Sequence, residues 1–280
     1  MKLLVQSDDY GITPAVARGI LYGIEHGIVR NTGMFTNMPW AKECAEWIKP
    51  YLDKIALGID LNASTGPSLL GYAKVPSLCH EGGSFYSSKE NRAMDLDAEN
   101  HDHVVYEEVY AEFEAQIEKF IELFGKKPDY IHGHAYGTAT TFKASMDLAK
   151  KYDCLYSTQV GSIPGMKCAG MGWYKFGASP EGQLEEDLVS YSIQDTDGLL
   201  HHDYGYLITH CGWADKELFD LSSFNLCRVK DLEALTSEEV RNWVQKNAVG
   251  LITYKDLPYH HADLPVEYLP FDHQHSKTKN

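Results

Sequence analysis

Short apolar segments alternate with amphipathic helical segments along most of this chain. Residues 3–5 are an apolar run near the start, and residues 14–26 follow with apolar side chains at helical spacing. A short apolar run suits a strand that is covered on both faces, as in a parallel sheet. The repeated strand and helix pattern therefore predicts an α/β fold, in which about seven parallel strands form a barrel or a doubly wound sheet.

The same periodicity predicts the other elements. The predicted strands are 32–36, 54–62, 154–156, 205–212 and 250–254, and residues 128–137 are predicted to be a strand followed by a loop. The predicted helices are 40–51, 106–124, 139–151 and 236–246. Residues 63–100 are rich in Gly, Pro and charged residues, which indicates a long loop insertion over the site. Residues 160–200 give no clear pattern. We expect one catalytic barrel domain over residues 1–262 and a C-terminal tail over residues 263–280.

Composition limits the class of partner. The net charge is −15, from 40 acidic and 25 basic residues, which argues against nucleic acid and anionic membranes as partners. No apolar run approaches the length of a membrane span and the N-terminus lacks a signal-peptide core, so we expect a cytoplasmic protein. The six cysteines contain no CxxC pair, which favours reduced thiols. Whether the chain forms a homo-oligomer is left open.

Polar side chains lie where several predicted strands end. They are Asp8, Asp9, Asp60, His132, His134 and His210. In a (β/α) barrel the carboxyl ends of the strands converge on one face, where catalysis usually takes place. Carboxylates and imidazoles can hold a divalent metal that keeps one position open for water. Because no glycine-rich nucleotide motif follows the first strand, a nucleotide-binding sheet is less favoured than a barrel.

The two consecutive carboxylates are open to more than one interpretation. Successive side chains on a strand point to opposite sides, so Asp8 and Asp9 are predicted to have different roles, one binding a metal and the other handling a proton. The alternative is that one of them caps the helix that begins near Pro14. Each histidine taken alone is also consistent with a hydrogen-bonded loop residue.

Several stretches resemble the YdjC/ChbG-type carbohydrate deacetylases, in the order in which that family has them. They are SDDYGITPAV (7–16), LGIDLN (57–62), PDYIHGH (128–134), Thr209-His210 with Gly212, and Arg228 followed by DLEAL (231–235). The resemblance implies a distorted (β/α) barrel related to polysaccharide deacetylases. It also implies removal of N-acetyl groups from small sugars, such as phosphorylated or chitin-derived oligosaccharides, with a bound divalent metal.

Carried over by position, the resemblance assigns roles to single residues. It implies that Asp9 and His134 bind the metal, that Asp8 accepts a proton, and that His210 protonates the leaving amine. Arg228 matches the family as well, and we expect it to bind substrate.

Three positions depart from the family pattern. Asp60 stands where the family usually has His, and His132 stands where it usually has Asp, so the two residues are predicted to have exchanged roles. Asp60 then becomes a metal ligand, and His132 an additional ligand or a hydrogen-bond partner of one. Tyr136 stands where a further His is common, and we expect it to bind substrate. Because oxygen ligands suit hard cations, one divalent ion is expected, with Mg²⁺ favoured over Zn²⁺ or Mn²⁺.

Two other functions are also consistent with the sequence. One is hydrolysis of a different bond in a phosphorylated disaccharide, with Asp8 and another carboxylate as an acid and base pair. The other is a non-catalytic saccharide-binding or regulatory relative whose metal site has decayed. Release of acetate from an acetylated chito-oligosaccharide distinguishes the deacetylase from both.

Overall fold

Eight parallel strands form one curled sheet in the computed structural model, which describes residues 1–266. They are β1 (Lys2–Tyr10), β2 (Asn31–Met34), β3 (Ala56–Leu61), β4 (Tyr130–Gly133), β5 (Leu155–Tyr156), β6 (Met166–Cys168), β7 (Tyr204–Thr209) and β8 (Gly250–Ile252). Seven of them follow the order β5-β4-β3-β2-β1-β7-β6, and β8 pairs with β1. The predicted α/β fold, with about seven parallel strands in a distorted barrel, is therefore confirmed.

Strand β1 lies in the middle of the sheet and has three partners. β7 pairs along one edge, from Lys2 to Ser7. β8 pairs with Lys2–Leu4, while β2 pairs with the second half of β1, so these two strands share the other edge. The Asn31 side chain joins them, because its amide donates to the backbone oxygens of Val5 (3.0 Å) and Ile252 (3.2 Å).

Ten α-helices occur in the described part of the chain. They are α1 (Pro14–His26), α2 (Ala41–Ile48), α3 (Ser88–Asp97), α4 (Tyr106–Phe124), α5 (Ala139–Tyr152), α6 (Pro180–Gln183), α7 (Leu188–Ile193), α8 (Lys216–Leu221), α9 (Leu226–Thr236) and α10 (Glu238–Lys246). None of those within residues 1–266 is long and apolar enough to cross a membrane.

The start of α1 shows which residue caps this helix, and it is neither Asp8 nor Asp9. Thr13 is the capping residue, since its hydroxyl accepts the backbone N–H of Val16, and Pro14 occupies the first turn. Both aspartates still belong to β1. The helix-capping interpretation of the aspartate pair is therefore wrong.

Alternate strand side chains belong to two different cores. Leu3 and Val5 pack in the larger core between the sheet and the helices. Leu4 packs with Tyr130 and Tyr206 in a smaller core inside the curl of the sheet. Because strand side chains alternate, Asp8 continues the inward row of β1. The first strand thus delivers a carboxylate into the interior of the half-barrel.

The structure corrects several predicted elements. The loop predicted at 63–100 contains α3, so only part of it is irregular. The helix predicted at 236–246 begins at Glu238 and is capped by Ser237, because Thr236 is the last residue of α9. Helix α9 was not predicted, and residues 160–200 contain β6, α6 and α7. All six cysteines are free, as predicted. Of the predicted tail, residues 267–280 lie outside the described residues.

Candidate active site

The carboxyl ends of four strands bring the predicted polar residues together. Asp60 on β3 and His132 on β4 are paired in register, and both face the interior together with Asp8. His134 follows β4, and its backbone N–H donates to the Leu61 oxygen (2.9 Å). His210 follows β7 directly. The polar residues that the sequence places at strand ends therefore lie at the same end of the sheet.

A backbone irregularity in β1 allows both aspartates to reach the site. Asp9 has φ of 71°, in the left-handed region that residues with side chains rarely adopt. The pairing of β1 with β2 shifts between Ser7 and Tyr10, which marks a bulge there. The expectation that the two side chains must point apart is therefore wrong, because the regular alternation stops at Asp9.

Asp8, Asp60 and His132 form an inner group, turned towards the interior of the half-barrel. His132 Nε2 lies 3.1 Å from Asp8 Oδ2, and Gln6 Nε2 donates to Asp8 Oδ1 (2.5 Å). On its other side, His132 Nδ1 hydrogen-bonds with the Ser157 hydroxyl (2.5 Å). Asp8 Oδ2 is buried, and the ion pair with His132 offsets the cost of burying its charge.

The Asp60 carboxylate occupies a space that a glycine leaves open. A Cβ atom on Gly33 would lie only 1.7 Å from Asp60 Oδ1. Asp60 Oδ2 accepts the backbone N–H of Asp9 (2.6 Å), whereas Oδ1 is buried with no hydrogen-bond partner. One oxygen of Asp60 is thus fixed by a hydrogen bond from the protein, and the other, packed against Gly33, has no hydrogen-bond partner.

Asp9, His134 and Arg228 form an outer group next to the inner one. Asp9 Oδ1 lies 2.7 Å from His134 Nδ1, and Asp9 Oδ2 lies 2.6 Å from Arg228 Nη2. His134 Nε2 contacts the Thr65 hydroxyl at 3.2 Å. Arg228 Nη1 is buried and has no hydrogen-bond partner. Each oxygen of the Asp9 carboxylate therefore has a partner, the His134 imidazole at Oδ1 and the Arg228 guanidinium at Oδ2.

Asp9 and Asp60, which are joined by a hydrogen bond from the Asp9 N–H, have pKa shifts in opposite directions. Burial alone would raise the pKa of Asp9, but His134 and Arg228 lower it well below its ordinary value. Burial and then the Asp8 charge raise the pKa of Asp60 well above its ordinary value. Burial lowers the pKa of His132, but Asp8, Asp60 and Asp9 outweigh this effect and raise it to about 9. At neutral pH Asp9 is ionised and His132 is protonated.

His210 is held by Asp231, the first residue of the DLEAL stretch, and by Tyr174, which no sequence pattern singled out. Its backbone N–H donates to Asp231 Oδ2 (2.7 Å), and its Nδ1 hydrogen-bonds with the Tyr174 hydroxyl (3.1 Å). Tyr174 donates its own proton to Asp231, so its oxygen accepts from His210 Nδ1–H. In the neutral ring this leaves Nε2 as the unprotonated nitrogen. Burial lowers the pKa of His210 to about 4, and burial raises the pKa of Asp231 to about 7.

The family is decided by a match along most of the chain. The family model described as YdjC-like protein matches residues 2–246. The chain belongs to the YdjC-like family.

Relatives of this YdjC-like chain match it over almost their whole length. Carbohydrate deacetylase 2 of Listeria innocua is 29% identical and covers 92% of this chain and 99% of the relative. A carbohydrate deacetylase of Clostridium beijerinckii is 26% identical and covers 92% and 100%. A solved structure from Enterococcus faecalis, of a candidate cellobiose-phosphate cleavage protein, has a TM-score of 0.71 at 24% identity. It covers 91% of this chain and 97% of its own. That structure supports the fold.

The two predicted substrate-binding residues of the YdjC-like chain have protein partners. Arg228 is 1% exposed and bound to Asp9, with Nη1 left over. The Tyr136 hydroxyl donates to Asp95 Oδ1 (2.9 Å) on α3, and Arg92 of the same helix donates to the Ala135 oxygen (2.7 Å). Helix α3 of the insertion therefore packs on the loop after β4. Substrate contacts by either residue stay a prediction.

The predicted metal ligands fit a divalent ion in chemistry but not as a preformed cage. Asp60 Oδ1 is a buried carboxylate oxygen without a partner, as expected of a ligand. For His134 and Asp9 to bind the same ion, His134 must use Nε2 as its ligand atom or give up the contact between its Nδ1 and Asp9 Oδ1. Within residues 1–266, the group of three ligand atoms that all lie within 4.8 Å is Asp153, His260 and His261. Asp153 precedes β5, at the opposite end of the strands, so this cluster is separate from the site.

Proposed function

We propose that this protein is a metal-dependent hydrolase that removes the N-acetyl group from a small acetamido sugar, such as a phosphorylated or chitin-derived oligosaccharide. The observation that carries the proposal is the cluster of Asp8, Asp9, His134 and His210 at the carboxyl ends of the strands. This cluster supplies the proton-transfer groups that amide hydrolysis needs. The match to relatives named carbohydrate deacetylases supports the choice of bond and substrate class.

In this proposal, Asp8 and His210 divide the proton transfers. Water attacks the acetamide carbonyl carbon while Asp8 accepts one of its protons, and the C–N bond breaks as His210 Nε2 delivers a proton to the amine nitrogen. Acetate and the free amino sugar are the products. Because the pKa of His210 is lowered to about 4, the ring is neutral before reaction, so it must take up a proton from solvent before it can act as the acid. Asp8 returns to solvent the proton that it took from water after the products leave, so the two transfers balance.

Protein contacts position both groups. Gln6 fixes one oxygen of Asp8 from inside the half-barrel, and Gln6 is in turn fixed by the hydroxyls of Tyr206 (2.9 Å) and Tyr254 (2.6 Å). Asp231 and Tyr174 fix the backbone and Nδ1 of His210. This support holds both reacting groups in place before substrate arrives, which lowers the cost of reaching the transition state.

Asp9, Asp60 and His134 would hold the metal ion, with His132 beside them. A bound divalent cation supplies Lewis-acid polarisation of the amide carbonyl. Two carboxylates and one imidazole favour Mg²⁺ over Zn²⁺, since hard cations prefer oxygen ligands. The unpartnered Asp60 Oδ1 and the raised pKa of Asp60 support a site that gains from a positive charge. We also expect a cytoplasmic protein that acts on a small saccharide.

The deciding experiment measures acetate release from di-N-acetylchitobiose together with metal content. Asp8→Asn should abolish turnover and keep the metal, whereas Asp9→Asn should lose the metal. His210→Ala should lower kcat by about 100- to 10,000-fold, the usual contribution of general acid–base catalysis. Metal content is measured in an Asp153→Ala background, so that the separate Asp153, His260 and His261 cluster does not contribute.

Three results would contradict the proposal. Full activity in both aspartate variants would remove the pair from catalysis, and a His210→Ala enzyme within about threefold of the parent would remove His210. Binding of the saccharide without acetate release would favour a binding protein with a decayed site. Cleavage of a phosphorylated disaccharide into its sugars would favour hydrolysis of a different bond.

A further inference from the structure

An aromatic cluster extends from His210 to the protein surface. Phe224 packs edge-on against His210, with ring centroids 5.0 Å apart, and against Tyr174 at 4.9 Å. Phe176 continues the cluster, at 6.0 Å from Phe224 and with its ring tilted by only 18°. Phe176 and Phe224 are therefore stacked with nearly parallel rings beside His210, and we call this pair the aromatic platform.

Buried polar contacts hold the two halves of the platform together. Gln183 is 4% exposed, and its Oε1 accepts the backbone N–H groups of Asn225 and Cys227, each at 3.1 Å. Its Nε2 donates to the Ser223 oxygen (2.7 Å). These bonds join the segment that carries Phe176 to the segment that carries Phe224. A surface fixed in this way loses little conformational freedom when a ligand binds.

The outer ring of the platform is unusually accessible. Phe176 is 62% exposed, although its neighbour Tyr174 is 7% exposed. A single exposed apolar side chain is common and needs no explanation by itself. Phe176 differs because it is continuous, through Phe224, with a group that we place in proton transfer. The exposed surface of Phe176 therefore lies one ring away from the proposed proton donor.

Sugar rings have the chemistry that such a face accepts. One face of a pyranose ring presents C–H groups, which interact favourably with the negative face of an aromatic ring. Hydroxyl groups around the edge of the sugar remain free to contact water. A sugar ring that lies on Phe176 would be separated from His210 by Phe224, so it would be a neighbour of the acetamido sugar.

We propose that Phe176 and Phe224 form a second sugar subsite, which binds the ring next to the acetamido sugar. Such a subsite would be used by a disaccharide or a longer saccharide and left empty by a monosaccharide. This inference rests on the proposed deacetylase function, because the position of the acetamido ring depends on His210. The subsite acts on binding and leaves the bond-breaking step unchanged.

The test compares Phe176→Ala with the parent on two substrates, di-N-acetylchitobiose and the monosaccharide N-acetylglucosamine. For the disaccharide, we expect KM to rise about 3- to 10-fold with kcat nearly constant, which corresponds to loss of one aromatic contact. For the monosaccharide, KM and kcat should not change, or the parent should be inactive. Phe176→Trp should retain the parental KM.

Phe219→Ala is the matched control, because Phe219 on α8 is also exposed, at 47%, and lies outside the platform. It should leave both substrates unaffected. Circular dichroism verifies that each variant is folded. Equal KM values for Phe176→Ala and the parent on the disaccharide would overturn the subsite, and so would an equal rise on both sugars.

Calorimetric binding separates this inference from the proposed reaction. If the parent binds di-N-acetylchitobiose but releases no acetate, the deacetylase proposal fails. Weaker binding by Phe176→Ala than by Phe219→Ala would then still support the subsite. A parent that neither binds nor hydrolyses the disaccharide overturns both.

Discussion

Replacing Gly33 with Ala tests the position of Asp60 without changing any polar atom. The new Cβ would lie 1.7 Å from Asp60 Oδ1, and real Cβ atoms essentially never approach closer than 3.0 Å. The carboxylate must therefore retreat by roughly 1.3 Å, the difference between these two distances. That movement breaks the bond that Asp60 Oδ2 accepts from the Asp9 N–H. A hydrogen bond contributes about 0.5–1.5 kcal/mol between neutral groups and about 1.5–3 kcal/mol when one group is charged, so the free energy of unfolding should fall by about 1–3 kcal/mol.

The same displacement should affect catalysis more strongly than stability. A misplacement of about 1 Å at a reacting centre can lower the rate about 100-fold, and we expect Gly33→Ala to lower acetate release by this factor. Affinity for Mg²⁺ should also fall, because Asp60 is a proposed ligand. Urea denaturation, calorimetric titration with Mg²⁺ and an acetate assay measure the three effects. Gly205→Ala is the control, since its Cβ would meet the apolar Leu3 side chain at 2.9 Å, away from the site.

A double-mutant cycle decides whether the clash is the cause. In an Asp60→Ala background the carboxylate is absent, so adding Gly33→Ala should cost much less stability than it does in the parent. The same loss in both backgrounds would refute the steric argument. Unchanged Mg²⁺ affinity and activity in Gly33→Ala would show that the site does not need Asp60.

Three further predictions address the charges of the site. Arg228→Met should lower the free energy of unfolding by about 3–5 kcal/mol, because Asp9 loses a buried cationic partner; a loss below about 1 kcal/mol in urea would contradict this. His210 should lose its contribution to stability as pH falls from 6.5 to about 4, because it binds a proton in the unfolded chain but not in the folded one in this range; the raised pKa of Asp231, about 7, acts in the opposite direction. The parent should therefore lose stability relative to His210→Gln as pH falls through this range, and parallel stability curves for the two proteins would contradict it. Chelation should stop acetate release and Mg²⁺ should restore it better than Zn²⁺, whereas better recovery with Zn²⁺ would reverse the assignment.

Local sequence signals predicted the elements that depend on local interactions. The bounds of α1 and α4 follow from helical periodicity, the Thr13 cap and the closing glycines. Helix α9 was not predicted, because its buried face contains Arg228 and Asp231, which interrupt the apolar stripe that marks an amphipathic helix. These two residues are buried because they serve Asp9 and His210, which are distant in sequence.

The candidate active site, like the secondary structure, could be predicted only in part. Strand ends indicated where the carboxylates and imidazoles gather, since that depends on topology alone. Their division into an inner and an outer group could not be predicted, because it depends on the left-handed backbone of Asp9. Tyr174 was missed because its irregular segment is defined by contacts with Asp231 and His210, which no local pattern encodes.

The sharing of β1 among three strands has a consequence for synthesis on the ribosome. β2 follows β1 closely, but β7 begins at Tyr204 and β8 at Gly250, so one edge of β1 stays open while most of the chain is made. Pairings between residues so distant in sequence form slowly, and open strand edges favour aggregation. We therefore expect the aspartate-bearing strand to acquire its final neighbours only after residue 252 has emerged. Nascent chains halted before β7 should be sensitive to proteases and dependent on chaperones.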